Sequence, residues 1–315
     1  MARVAALFPG PGSQAVGMGQ DLVSRWPAAR EVFAAADRAL GEDLSTVIWS
    51  GPEEALRLTE TTQPALLTHS LACWRVLEQH GVRVEAVAGH SLGEYSAVVA
   101  AGGLGLEDAV RTVRLRGWLM QQAVPVGEGA MAAVLGLEDD AAVRRACEEE
   151  TAARGEVVAA VNLNAPGQVV IAGTIGAVER ASARCLAAGA RRAVLLPVSA
   201  PFHSPLMAPA RAGLEPTLRS LPFVDLAVPL YRNVDARPVR EASQVRDGLT
   251  RQVDAPVLWS EIVRRLVADG FDTFLEVGAG NVLSGLVRRI DRGVTCHSAG
   301  TVEGVDAVIG IFGES

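Results

Sequence analysis

A serine set between two glycines where a small apolar strand gives way to a helix is an arrangement that makes a weak alcohol into an acyl-accepting nucleophile. Residues 86–94 read Ala-Val-Ala-Gly-His-Ser-Leu-Gly-Glu. In such an elbow the sharp turn exposes the Ser91 oxygen and aims amide N–H groups at it, while side chains at Gly89 or Gly93 would collide with the tight backbone. The chemistry implied is acyl transfer through Ser91. A G-x-S-x-G pattern also arises by chance in a chain with 32 glycines. Ser91 and Glu94 have in addition the S-x-x-E spacing of a capping box, so an ordinary helix start is the competing reading.

An elbow serine needs a histidine base, and the chain has five histidines. The chain order of an ordinary α/β-hydrolase nominates the late His297. His203 has the better surroundings, in the proline-rich loop Ala200-Pro-Phe-His-Ser-Pro-Leu-Met207. His69 and His80 fall on a helical pattern as packing or surface residues, and His90 flanks the serine. Arg116 is a second outlier: Ala109, Val113, Arg116 and Met120 share one helical face, so a cation interrupts an apolar stripe. It reads equally as a snorkelling or paired arginine and as a fork that binds a substrate carboxylate. Gly10-Pro-Gly-Ser-Gln-Ala15 fits a dinucleotide fingerprint after a strand. No second strand ending in an acidic residue follows at the expected distance, so a turn or an oxyanion loop explains those glycines better.

The elements around these residues divide the chain. A first strand over residues 3–8 is followed by amphipathic helices over 21–39, 63–80, 93–101 and 106–124, with little extended sheet except at the elbow. From 129 to 197 the pattern becomes strand 131–137, helix 139–153, strands 157–163 and 168–172, helix 175–188 and strand 192–197. That β-α-β-β-α-β order is the order of a ferredoxin-like unit. The expected fold class is α/β: a large α/β-hydrolase-like domain, residues 1–127 and 199–315, carrying an inserted ferredoxin-like α+β subdomain at 128–198. The cleft between the two bodies is the expected place for a site. A strand at 273–277 and a helix from 282 complete the reading.

Composition fits this frame. The chain is 49% hydrophobic and 21% charged, as a soluble globular protein is. Cys73, Cys147, Cys185 and Cys296 lie far apart without C-x-x-C spacing, so they read as reduced packing residues rather than zinc ligands or a disulfide frame. No metal site is expected. The net charge of -7 argues against nucleic acid as partner, and no lysine is present, so an acidic partner would have to meet arginine. No apolar run is long enough for a membrane span or a secretory signal. The expectation is a cytoplasmic protein, with nothing that demands more than a monomer.

Eight segments, in chain order, carry a family resemblance: Phe8-Pro-Gly-Pro-Gly-Ser-Gln14, Thr62-Gln-Pro-Ala65, Gly89-His-Ser-Leu-Gly-Glu-Tyr-Ser-Ala97, Arg114-Leu-Arg-Gly117, Gly129-Ala-Met-Ala-Ala133, Val161-Asn-Leu-Asn-Ala-Pro-Gly-Gln168, Pro197-Val-Ser-Ala-Pro-Phe-His203 and Glu276-Val-Gly-Ala-Gly280. Together they resemble the malonyl-CoA:acyl carrier protein transacylases, the acyltransferase family of fatty-acid and polyketide synthesis. The resemblance implies ping-pong transfer of malonyl from coenzyme A to the phosphopantetheine thiol of acyl carrier protein. The coenzyme A thioester is then a substrate, and no cofactor is needed. Ser91 would carry the malonyl ester and His203 would be the base and then the acid. Arg116 matches the family's carboxylate-binding arginine, and the carbonyl of Gln252 its histidine-orienting group. Asn162 matches a residue near the family's cleft and Phe202 is the usual malonyl-type choice; with Arg116, Gln252 and His90, which flanks the serine, they are the expected substrate-binding residues.

Two positions depart from the family pattern. The oxyanion hole should pair the amide of Leu92 with that of a glutamine, and here the glutamine is Pro11, which has no N–H. Gly12 can replace it as donor if the loop shifts. Asn281 stands at the family's glycine-loop lysine; Arg288, Arg289 and Arg292 read as a solvated helix face or as a substitute patch for an acidic carrier protein. Two rival functions follow: an acyl hydrolase on the same scaffold, which the selectivity of Arg116 disfavours, and a weakly active paralogue that binds carrier protein, supported only by Pro11.

Overall fold

Five apolar residues, Val4–Phe8, form strand β1 and are all buried. Such a run suits a strand covered on both faces by helices, the usual state in a parallel sheet. The computed structural model describes residues 2–198 and 200–314. In it β1 lies between β2, Ala86–Gly89, and β9, Thr273–Val277, parallel to both. The larger sheet runs β10-β9-β1-β2-β7-β8, where β10 is Thr295–Ala299, β7 Leu230–Tyr231 and β8 Pro238–Val239; only the β7–β8 pair is antiparallel. Alternate residues of β1 feed two cores. Ala6 and Phe8 meet Phe33, Leu67 and Val98 on one side. Ala5 and Leu7 meet Trp259, Ile262 and Leu266 on the other.

The second sheet is built from β3, Gly129–Leu135, β4, Val158–Ala165, β5, Gln168–Thr174, and β6, Arg192–Leu195, in the order β4-β5-β3-β6 with every pair antiparallel. Helices Asp140–Arg154 and Ile175–Ala187 cover one face and share a separate core with it. The β-α-β-β-α-β order expected from the sequence is the observed element order, and the protein is mixed α/β.

The expected helix over 21–39 is two helices, Gln20–Arg25 and Pro27–Leu40. Trp26 between them is extended because the following proline disfavours helical geometry in the residue before it. The helix Thr59–Gln79 begins four residues earlier than expected and keeps Pro64 in its first turns. Among the described residues, no helix is long and apolar enough to cross a membrane.

Parallel strands place their C-terminal loops along one edge of the sheet, where such folds bind ligands. Here that edge carries the loop after Phe8, the elbow after Gly89 and the segment after Tyr231. The elbow is packed to contact: a Cβ on Gly93 would lie 2.0 Å from the Phe8 carbonyl oxygen, and one on Gly89 2.0 Å from the Gly93 backbone. Gly93→Ala is therefore expected to lower unfolding free energy by about 3 kcal/mol in denaturant titrations, the upper end of the usual overpacking cost. Gly285→Ala is the control. Gly285 lies within the helix Val282–Ile290 with nothing inside 4 Å of its added methyl, so alanine there should stabilise. Equal midpoints for the two variants would disprove the packing account.

Candidate active site

The backbone of Ser91 has a φ of 51°, a left-handed conformation that side chains seldom adopt. Hydrogen bonds hold it there. The Ser91 amide donates to Asn233 Oδ1 at 2.8 Å, and the Ser91 carbonyl accepts from Gln252 Nε2 at 2.8 Å. The hydroxyl Oγ lies 2.7 Å from His203 Nε2, with both residues buried. His203 Nδ1 lies 2.9 Å from the carbonyl oxygen of Gln252. A carbonyl only accepts, so the imidazole proton sits on Nδ1 and Nε2 faces Ser91 as a base. No carboxylate touches this histidine among the described residues, which makes the unit a pair rather than a triad. Burial, aided by the Arg116 charge, holds the imidazole down to about 3, so it stays neutral near pH 7.

Arg116 is 1% exposed. Its Nη1 donates to Gln63 Oε1 at 2.7 Å, and its Nη2 to Gln252 Oε1 at 2.9 Å and to Ser91 Oγ at 3.2 Å. The guanidinium carbon sits 5.5 Å from the Tyr95 ring centroid. The side chain does not snorkel. Among the described residues it bonds no carboxylate: its hydrogen-bond partners there are two side-chain amides and the Ser91 hydroxyl, and its Nε has none. Burial depresses the guanidinium. A buried cation served only by neutral oxygens is receptive to an anion, and this one borders the serine.

The two expected oxyanion donors sit in different situations. Leu92 is buried and helical (φ -51°, ψ -40°), directly after the serine. Pro11 and Gly12 are exposed, and the Gly12 amide donates to Gln14 Oε1 at 2.7 Å. An oxyanion would have to displace Gln14 to use it.

The capping-box reading of Ser91 and Glu94 does not hold. The helix Gly93–Ala100 has Leu92 as its cap residue and no side-chain cap bond, because Ser91 Oγ faces His203 and Glu94 Oε2 accepts from Gln252 Nε2 at 2.7 Å. Burial pushes the Glu94 carboxyl up to about 7. His297 lies on the edge strand β10 with its ring against Phe312, remote from this cluster in the sheet order. His69 is buried and His80 Nδ1 meets the Val76 carbonyl.

His90 Nε2 lies 2.9 Å from Asn164 Oδ1, and its ring packs on Trp259. Asn162 sits buried on β4, where its backbone bridges to Val257, without a side-chain bond to Ser91, His203 or Arg116 among the described residues. Phe202 packs between the main core and the second face of the small sheet. Asn281 precedes the helix Val282–Ile290; Arg288, Arg289 and Arg292 are exposed, with Arg289 Nη2 3.4 Å from the Gly167 carbonyl. Three residues of this cluster were given no site role from the sequence: Gln63 and Glu94, which lie inside two of the segments that carry the family resemblance, and Asn233, which lies in none of them.

Residues 6–303 match the model of the acyl transferase domain. The chain is 52% identical over 291 residues to the malonyl CoA-acyl carrier protein transacylase of Escherichia coli O157:H7, covering 92% of this chain and 93% of that one. It is 44% identical over 309 residues to the same enzyme of Bacillus subtilis, covering 98% and 97%. A malonyl transacylase solved in complex with a type II polyketide synthase acyl carrier protein superposes with a TM-score of 0.95 at 44% identity, over 98% of this chain and 99% of that one. An acyl carrier protein S-malonyltransferase from Vibrio cholerae does so at 0.94 and 47%, over 98% and 100%. Similarity of this extent, over nearly the full length of both partners, means that the chain belongs to the acyl transferase domain family.

Proposed function

We propose that this protein transfers malonyl from malonyl-CoA to the phosphopantetheine thiol of an acyl carrier protein through an ester on Ser91. The observation that carries the reading is the buried guanidinium of Arg116, 3.2 Å from the serine oxygen and, among the described residues, without a carboxylate partner. Ser91 Oγ attacks the thioester carbonyl as His203 Nε2 takes its proton. The proton then passes to the coenzyme A sulfur as the C–S bond breaks. In the second half, the carrier thiol gives its proton to His203 and attacks the malonyl ester, and His203 returns the proton to Ser91 Oγ. The Gln252 carbonyl keeps the imidazole in the tautomer both halves need. Leu92 supplies one oxyanion donor, and the proline at position 11 supplies none.

The fold reading belongs with this function. The six-stranded sheet with helices on both faces and a nucleophile elbow after β2 supports an α/β-hydrolase-like body formed by residues 1–127 and 199–315. The β4-β5-β3-β6 order supports a ferredoxin-like insertion at 128–198. Asn162 and Phe202 belong to the cleft between them, and His90 lines it beside Asn164. Ser91, His203 and Arg116 all come from one chain, so the reaction as read is complete in a monomer. Carrier protein would meet the exposed arginines at 288, 289 and 292.

Intact-mass measurement after incubation with malonyl-CoA should find one malonyl adduct, absent in Ser91→Ala and discharged on addition of carrier protein. Free malonate with no transfer would make the protein a hydrolase, and no adduct would leave only a binding role. Arg116→Ala should lower the malonyl-to-acetyl ratio of kcat/KM by tenfold or more, since a charge-assisted bond contributes about 1.5–3 kcal/mol. Equal losses for both substrates would contradict the selectivity role. Pro11→Gln restores an amide to the oxyanion site, and one such donor is worth on the order of a hundredfold in kcat. Turnover should rise; unchanged kinetics would show that another group already fills that place.

A further inference from the structure

We propose that Asn233 is a positioning residue for the nucleophile, holding the elbow in its strained shape by bonding to both sides of the turn. The proposal rests on the reading that Ser91 is the nucleophile. Asn233 follows β7 by two residues, and β7 runs parallel beside β2. Its side chain therefore reaches the end of β2, where the elbow begins. There Asn233 Oδ1 accepts from the Ser91 amide at 2.8 Å, and Nδ2 donates to the Gly89 carbonyl at 2.7 Å. One amide thus bonds to the backbone two residues apart, before and at the turn.

The side chain has no freedom to leave. Asn233 is fully buried. Its own backbone amide donates to Glu94 Oε2 at 3.2 Å, and its carbonyl accepts from the Leu258 amide at 2.9 Å. Glu94 Oε2 also takes the Gln252 amide at 2.7 Å, and the Gln252 carbonyl orients His203. Serine, base and Asn233 are in this way fixed to one buried framework. Buried amides bonded in this way favour one geometry, because leaving it strands an amide group without a partner.

An asparagine is required by the donor and acceptor pattern. Aspartate would set an oxygen against the Gly89 carbonyl, and alanine would bond to neither group. A second consequence follows for the oxyanion. By occupying the N–H of Ser91 itself, Asn233 leaves Leu92 as the elbow amide that can face the developing charge.

The test is the rate constant for labelling Ser91 with a fluorophosphonate, which needs the serine and base but no malonyl group. It is read beside the labelled fraction at completion and the malonyl-to-acetyl ratio of kcat/KM. For Asn233→Ala the labelling rate constant and kcat for malonyl transfer should each fall tenfold or more, while the malonyl-to-acetyl ratio stays within threefold of the parent. Asn233→Asp, which keeps the acceptor for the Ser91 amide, should recover part of the labelling rate. A residue that only stabilises the fold would lower the labelled fraction and leave the rate constant unchanged, and that outcome overturns the proposal. If the alanine variant does not fold, the aspartate variant decides by the same separation of rate from fraction. Labelling of the parent without malonyl transfer would overturn the proposed function and leave this test standing, whereas a parent serine that is not labelled at all overturns both.

Discussion

A fully buried guanidinium is the constraint around which this site is arranged. Removing such a charge from water is costly unless protein groups replace the lost hydration. Here Gln63 and Gln252 do so from opposite parts of the chain, with the Tyr95 ring beside the guanidinium. Each demand passes outward. Gln252 must present its carbonyl oxygen to Arg116, so its NH2 group must find acceptors elsewhere, and it finds them in the Ser91 carbonyl and Glu94. Because the backbone of the same residue holds His203, the buried cation and the imidazole facing Ser91 share one anchor.

Glu94 occupies an unusual place in this scheme. Its charge favours the Arg116 guanidinium, yet a glutamine stands between them. A direct ion pair would have satisfied the cation and closed it to any incoming carboxylate. With the carboxylate one residue removed, the negative charge still favours the guanidinium while its N–H groups stay on neutral acceptors that an anion can displace. Burial raises the Glu94 carboxyl and depresses Arg116, the expected directions for two charges taken out of water together.

Legibility of these features in the sequence followed the range of the interactions. The β-α-β-β-α-β segment was readable because its strands and helices carry local signals, such as the Asp139 cap and the left-handed Gly155 that end the helix Asp140–Arg154. Strands β7 and β8 have two residues each, too few to show a period. Strand β10 lies at an edge and reads Thr-Cys-His-Ser-Ala, without the apolar run of β1. The break at Trp26 depended on one proline inside an otherwise continuous amphipathic pattern. Ser91, His203 and Arg116 were visible through spacing, loop composition and an interrupted stripe. Asn233 was not: the Ser91 amide and the Gly89 carbonyl that its side chain bonds lie 142 and 144 positions away, and nothing beside it in sequence marks a polar residue as buried.

The resting hydrogen bond between Arg116 and Ser91 bears directly on how malonyl and acetyl would be told apart. Arg116 Nη2 donates to the serine oxygen at 3.2 Å, occupying a lone pair and lowering the nucleophilicity of the hydroxyl that His203 is placed to activate. A malonyl carboxylate is the stronger acceptor, so on the proposed reading it would draw that N–H away and free the serine oxygen at the moment the thioester is in place. An acetyl group has nothing to offer the guanidinium, and the serine must attack while still tied to a cation. With the proposed roles of Arg116 and Ser91, discrimination would arise in the chemical step as well as in binding, because a carboxylate held by the guanidinium would also release the serine.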